Sequence, residues 1–160
     1  MIAFDAMLSA LAERGVAFIV VGGAAAIAHG SARLTQDLDI IYRRSPDNLK
    51  RLVAALRDHA PYPRGAPPGL PFVWDETTLQ RGLNFTLVTS MGDLDLLGEI
   101  PGGGTYEDLA KDAVELSIFG TRCLCLNLSQ LIRAKRAAGR PRDFEALAEL
   151  EAIEEEGSTE

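Results

Sequence analysis

Cysteine and histidine are both scarce, with two of each in 160 residues. Cys123 and Cys125 alternate with Leu124 and Leu126 in TRCLCLNL, so a strand puts both thiols on one face. Residues two apart on a strand rarely meet disulfide geometry, and no histidine or second cysteine pair completes a zinc site. The pair is therefore expected as small core residues in a reducing compartment. Long apolar runs are lacking too. No window approaches the ~20 residues of a membrane span, so no membrane partner is expected. The opening MIAFDAMLSALAERG carries Asp5 and Glu13. It lacks the basic region and unbroken apolar core of a signal peptide, and a cytoplasmic location is expected. Neither G-x-G-x-x-G nor G-x-x-x-x-G-K-[ST] occurs, which removes the support for a dinucleotide-binding fold or a P-loop ATPase.

Base is missing where acid is dense. Residues 143–160 hold eight acids and no Lys or Arg, so the formal net charge of −7 leaves +1 for the other 142 residues (−7 plus 8). Just before this segment, RAKRAAGRPR carries five bases and no acid. Such a sign change points to a local anionic ligand rather than a broad nucleic-acid surface, with a solvated helix face as the alternative.

The length suits a single domain, residues 1–156, followed by a short polar tail at 157–160. Helices are expected at 3–14, 23–32, 45–60, 127–138 and about 142–156, and strands at 16–21, 34–42, 83–90 and 92–100. Ser45, Pro46 and Asp47 form a strong helix start. A further hairpin is expected around Gly120, and the Pro/Gly-rich 61–71 and the PGGGTYED stretch read as irregular. The sum is an α/β (α+β) domain with a mixed sheet.

VGGAAAIAHGSARLTQDLDI, residues 21–40, interrupts an apolar segment with two aspartates. On a strand, Asp37 and Asp39 share a face while Leu38 and Ile40 take the other. Burying two unpaired carboxylates ~6–7 Å apart costs several kcal/mol, and a divalent cation turns that cost into a binding site. DLDL, residues 93–96, repeats the pattern. It supplies a third acid if the strands are neighbours, a donor set suited to Mg²⁺. Gly22 and Gly23, at a strand-to-helix turn, let backbone N–H groups approach a phosphate without a Cβ in the way.

VGG, thirteen residues, then DLDI, with a later strand aspartate, resembles the signature of the polymerase-β-type nucleotidyltransferase superfamily. GDLDLLGEIPG and LIRAKRAAGRPRDFEAL extend the likeness over roughly residues 15–150, and the small bacterial members (minimal nucleotidyltransferases and toxin–antitoxin or abortive-infection relatives) are the most similar. The resemblance implies a nucleotidyltransferase fold in which Gly22 and Gly23 hold an NTP. It further implies that Asp37, Asp39 and Asp95 are catalytic and hold two Mg²⁺ ions, Asp95 helping to activate an acceptor hydroxyl. Asp93 competes with Asp95 for the third place; Asp95 is preferred because it sits inside the apolar run. The implied reaction moves NMP from an NTP to an acceptor, tRNA or a partner protein, and releases pyrophosphate.

Lys135 falls inside the apolar arc of 127–138, so it is expected to reach a phosphate or an acid at the edge of a polar cleft. Arg33 either contacts phosphate or braces its loop. Arg133, Arg136 and Arg140 are expected at the surface, with acceptor contact as an alternative. His29 reads as structural, His59 as incidental, and Tyr62 and Trp74 as half-packed loop aromatics. Large relatives add a helical domain for the acceptor; here a partner, a homodimer or an exposed face must serve. Two further readings stay open: a nucleotidyltransferase fold that only binds nucleotide or a partner, and a metal-dependent phosphohydrolase.

Overall fold

The computed structural model of the chain describes residues 3 to 158. Met1, Ile2, Thr159 and Glu160, and with them part of the expected N-terminal pattern and tail, lie outside the described residues. Helix α1 (Phe4–Glu13) buries Met7, Leu8 and Leu11. Gly15, at φ +69°, turns the chain into strand β1 (Phe18–Val21), and helix α2 (Gly22–Ala28) follows with no intervening loop. Strand β2 (Asp37–Tyr42), helix α3 (Pro46–Leu56) and the extended pair β3 (Tyr62–Pro63) come next. Helix α4 (Glu76–Arg81) then leads to strands β4 (Phe85–Thr89) and β5 (Gly92–Leu97). A small ribbon, β6 (Glu99–Ile100) with β7 (Gly104–Thr105), precedes helix α5 (Tyr106–Ala110). The chain ends with the hairpin β8 (Val114–Ile118) and β9 (Thr121–Cys125), then α6 (Leu128–Ala138) and α7 (Asp143–Ser158).

Seven strands form one mixed sheet in the order β3-β4-β5-β2-β1-β9-β8. β2 runs parallel to β5, and β1 parallel to β9, while the other neighbours are antiparallel. All four residues of β1 are buried, so helices cover it on both faces and the strand reads as a continuous apolar run. β2 differs. Leu38 and Ile40 are fully buried, whereas Asp37 and Asp39 keep partial exposure. Each buried Leu or Ile contributes roughly 1.5–3 kcal/mol, which offsets the cost of the aspartates beside it.

The structure departs from the sequence expectation at several points, among them the end of α3 at Leu56 rather than residue 60 and the break of the 92–100 strand into β5 and β6. α2 stops at Ala28 and β2 starts at Asp37, because 29–36 form a loop fastened to α7 rather than continuing either element. α4 and α5, one to two turns each, were not expected. Asp75 caps α4 by accepting from Thr78 N (2.8 Å), and Thr105 with Asp108 forms a capping box on α5. Tyr62 and Pro63 join the sheet edge against Val88 and Leu87. α7 runs on to Ser158.

Candidate active site

The parallel register of β2 on β5 sets Asp37 beside Asp93 and Asp39 beside Asp95. Neighbouring strands in register present paired residues to one face, so four acids form a grid on it. One carboxylate oxygen from each of Asp37, Asp39 and Asp95 lies within 4.8 Å of the other two. Asp93 is outside that group, and its side chain is more exposed than that of Asp95 (40% against 21%).

Burial first, then the Asp37 charge and the nearby Asp95, push the Asp39 carboxyl up to about 8. Asp37 is raised as well, by burial first and then by Asp95. Asp39 Oδ1 is buried with no hydrogen-bond partner. An orphaned carboxylate oxygen facing two other carboxylates is what a divalent cation satisfies, so these residues fit a Mg²⁺-type ion bound through oxygen.

The glycines are tied to this cluster. A Cβ on Gly22 would lie 2.2 Å from Asp39 Oδ2, and Gly22 has φ +63°. A Cβ on Gly23 would lie 2.7 Å from Thr35 Oγ1, and that hydroxyl donates to the Asp37 carbonyl (3.2 Å). The pair thus makes room for the acids and their brace as well as fronting the cleft.

Gly22, Gly23, Arg33, Asp37, Asp39, Asp95 and Lys135 all line one cleft of about 540 Å³. Its other wall is α7 and the segment before it. Lys135 Nζ meets Asp143 Oδ1 at 3.2 Å, and Arg140 Nε donates to Asp143 Oδ2 at 2.7 Å. The Arg140 hydrogen bond, followed by Lys135, holds the Asp143 carboxyl down at about 2. Arg33 pairs with Glu145 (3.2 Å), and Glu149 accepts from Ser31 Oγ (2.6 Å) and Ala32 N (3.1 Å). Lys135 therefore reaches an acid, and Arg33 braces its loop. Arg140 and Arg142 are exposed and line the mouth of the cleft, while Arg136 is exposed and pairs with Glu151 (2.7 Å).

The sequence reading missed Arg64. It follows β3, and its guanidinium meets Asp95 Oδ1 (Nη2, 2.8 Å), Asp93 Oδ2 (Nε, 3.3 Å) and Asp37 Oδ2 (Nη1, 3.8 Å). One signal was available: Arg64 is the sole charge in PYPRGAPPGLP. His29 is structural, its Nε2 set 2.7 Å from the Leu126 carbonyl. Trp74 Nε1 donates to the Val53 carbonyl (3.1 Å), and Tyr62 stays within its loop, bonded to Pro67 and edge-on to Phe72.

No family profile and no curated protein matches the sequence. Solved structures do match. One, a Thermotoga maritima protein assigned by name as a nucleotidyltransferase, is 15% identical with a TM-score of 0.56, over 89% of this chain and 86% of that one. Another, an aminoglycoside nucleotidyltransferase in complex with adenylyl-2″-tobramycin, is 17% identical with a TM-score of 0.53, over 92% and 88%. The fold is that of the polymerase-β-type nucleotidyltransferases. In this nucleotidyltransferase fold the acid grid lies at the junction of β2 and β5, against the turn from β1 into α2. No helix among the described residues is long and apolar enough to cross a membrane.

Proposed function

We propose that the protein is a metal-dependent nucleotidyltransferase that moves NMP from an NTP to a hydroxyl of an acceptor and releases pyrophosphate. The observation that carries this reading is the meeting of Asp37, Asp39 and Asp95 next to Gly22 and Gly23, on the floor of a cleft walled by cations, in this fold. Bound there, Mg²⁺ supplies neutralising charge to the reacting phosphate. The chain's own residues do the remaining work. Asp37 and Asp39 hold the ion, and Asp95 completes the set and takes the proton from the acceptor oxygen. That oxygen forms the new bond to the α-phosphorus as the bond to pyrophosphate breaks. Lys135, Arg140 and Arg142 stabilise the charge that gathers on the departing phosphates, and Gly22 and Gly23 leave the triphosphate an approach free of side chains. The acceptor in this reading is a tRNA or a partner protein of a toxin–antitoxin pair.

A second reading, a fold that binds nucleotide without transferring it, is favoured by the pairing of Arg33, Lys135 and Arg140 with acids of α7 and its approach. Those pairs must open before the cations meet a phosphate. The experiment is transfer of α-phosphate label from each NTP, with Mg²⁺, into RNA and protein fractions of the host lysate. Label with wild type and none with Asp37→Asn/Asp39→Asn supports the transferase. Nucleotide binding without label in any fraction supports the second reading.

A further inference from the structure

Arg64 directly follows the edge strand of the sheet, yet its head group rests on acids two and three strands away. The register explains how. Arg64 N donates to the Thr86 carbonyl (2.9 Å), and Thr86 and Val88 lie opposite Asp95 and Asp93. Cross-strand partners share a face, so the path from Arg64 to the grid runs over a threonine and a valine, both short. The Leu87 carbonyl then accepts from Nη2 (2.8 Å) and fixes the fork above β4. An arginine is always charged and its planar fork suits carboxylates. Its +1 is therefore a permanent part of the cluster. Asp39 Oδ1 has neither a hydrogen-bond partner nor an ion-pair contact, whereas Arg64 Nε, also without a hydrogen bond, keeps its ion pair with Asp93 (3.3 Å). The acid grid is thus graded: the guanidinium is closest to Asp95 (2.8 Å) and Asp93 (3.3 Å), reaches Asp37 only at 3.8 Å, and makes no ion pair with Asp39.

Building on the transferase reading, we propose that Arg64 is a resident counter-cation that limits the nucleotide-free site to one divalent ion, held on the Asp37–Asp39 side. Arg64 holds the Asp95 carboxylate in place through the 2.8 Å contact, as a positioning residue. With a nucleotide bound, its negative phosphates would offset the guanidinium, and Asp95 could then help to hold a second ion. Like charges a few ångström apart repel where water screens them poorly. A dication that close to Arg64 feels the effect strongly.

Mn²⁺ binding, counted by electron paramagnetic resonance at pH 8 on the full chain without nucleotide, tests this directly. Wild type should take up one ion. Arg64→Gln should bind a second, or bind the first roughly tenfold more tightly. Arg64→Lys, which keeps the charge, should stay within about threefold of wild type and guards against a folding defect in the glutamine variant. Two equivalent ions in wild type, or unchanged or weaker binding in Arg64→Gln, would overturn the proposal. Failure of nucleotidyl transfer, with the Mn²⁺ pattern as expected, would overturn the enzyme reading and leave the role of Arg64 standing.

Discussion

Gly22 and Asp39 are in contact across the turn: the hydrogen that replaces a side chain on Gly22 faces the Asp39 carboxylate, and a Cβ there would come within 2.2 Å of Oδ2. The close approach of β1's end to β2's second aspartate is therefore a packing requirement. It positions the acid that burial has already pushed up to about 8.

Gly22→Ala should cost at least about 1–2 kcal/mol, since an L side chain is strained at φ +63° and its methyl must push Asp39 aside. Thermal denaturation should show a Tm lower by several degrees. Metal-induced stabilisation should shrink with it, because the displaced carboxylate is a ligand.

Asp39→Asn should behave in the opposite sense. At pH 9, where the Asp39 carboxyl is mostly ionised, the substitution removes a buried charge that faces Asp37 and Asp95 and relieves repulsion in the metal-free protein. In EDTA the Tm should rise by about 2–4 °C for each kcal/mol relieved. Added Mn²⁺ should raise the Tm of wild type and leave the variant unmoved.

The Asp143 carboxyl sits at about 2 in the folded protein, below its ordinary range. The unfolded chain, with a pKa near ~3.9, binds the proton more readily in that window. The contribution of Asp143 is thus complete above pH ~4–5 and is lost as pH falls through 2. Asp143→Asn should lower stability at pH 7, and its difference from wild type should vanish near pH 2 in a pH series of denaturant midpoints.

Glu149 ties α7 to the loop beside Asp37 by accepting from Ser31 Oγ and Ala32 N. Glu149→Ala should release that loop while the sheet stays intact. Hydrogen exchange at Ala32 should quicken by roughly ten- to a hundredfold, as expected for one lost hydrogen bond to a charged acceptor, with β1 and β2 unchanged.

Much of this architecture was legible in the chain. Asp37 and Asp39 announce themselves because a carboxylate every second residue in an apolar strand has no structural purpose, and the DLDL repeat supplied the neighbour that the β2–β5 register then paired with it. The cores of α1, α3 and α6 followed from their apolar spacing. α4 and α5 escaped because one or two turns are too short for a period to show; only their caps, Asp75 and the Thr105–Asp108 box, could have marked them.

Arg64 escaped for a different reason. Its role depends on β3 lying at the sheet edge and on small residues in β4, facts that belong to tertiary topology. The loop at 29–36 was likewise set from outside, by Glu145 and Glu149 on a helix more than 100 residues downstream. Local propensity could not foresee either.

The central claim is that the acid cluster directs attack at the α-phosphorus of an NTP. Parallel reactions with α-labelled and γ-labelled NTP, run with Mg²⁺ and the host's RNA and protein, test it most directly. The account predicts that α-label enters the acceptor, that γ-label leaves as pyrophosphate, and that Asp95→Asn abolishes both. Entry of γ-label into the acceptor, or release of inorganic phosphate without acceptor labelling, would contradict it.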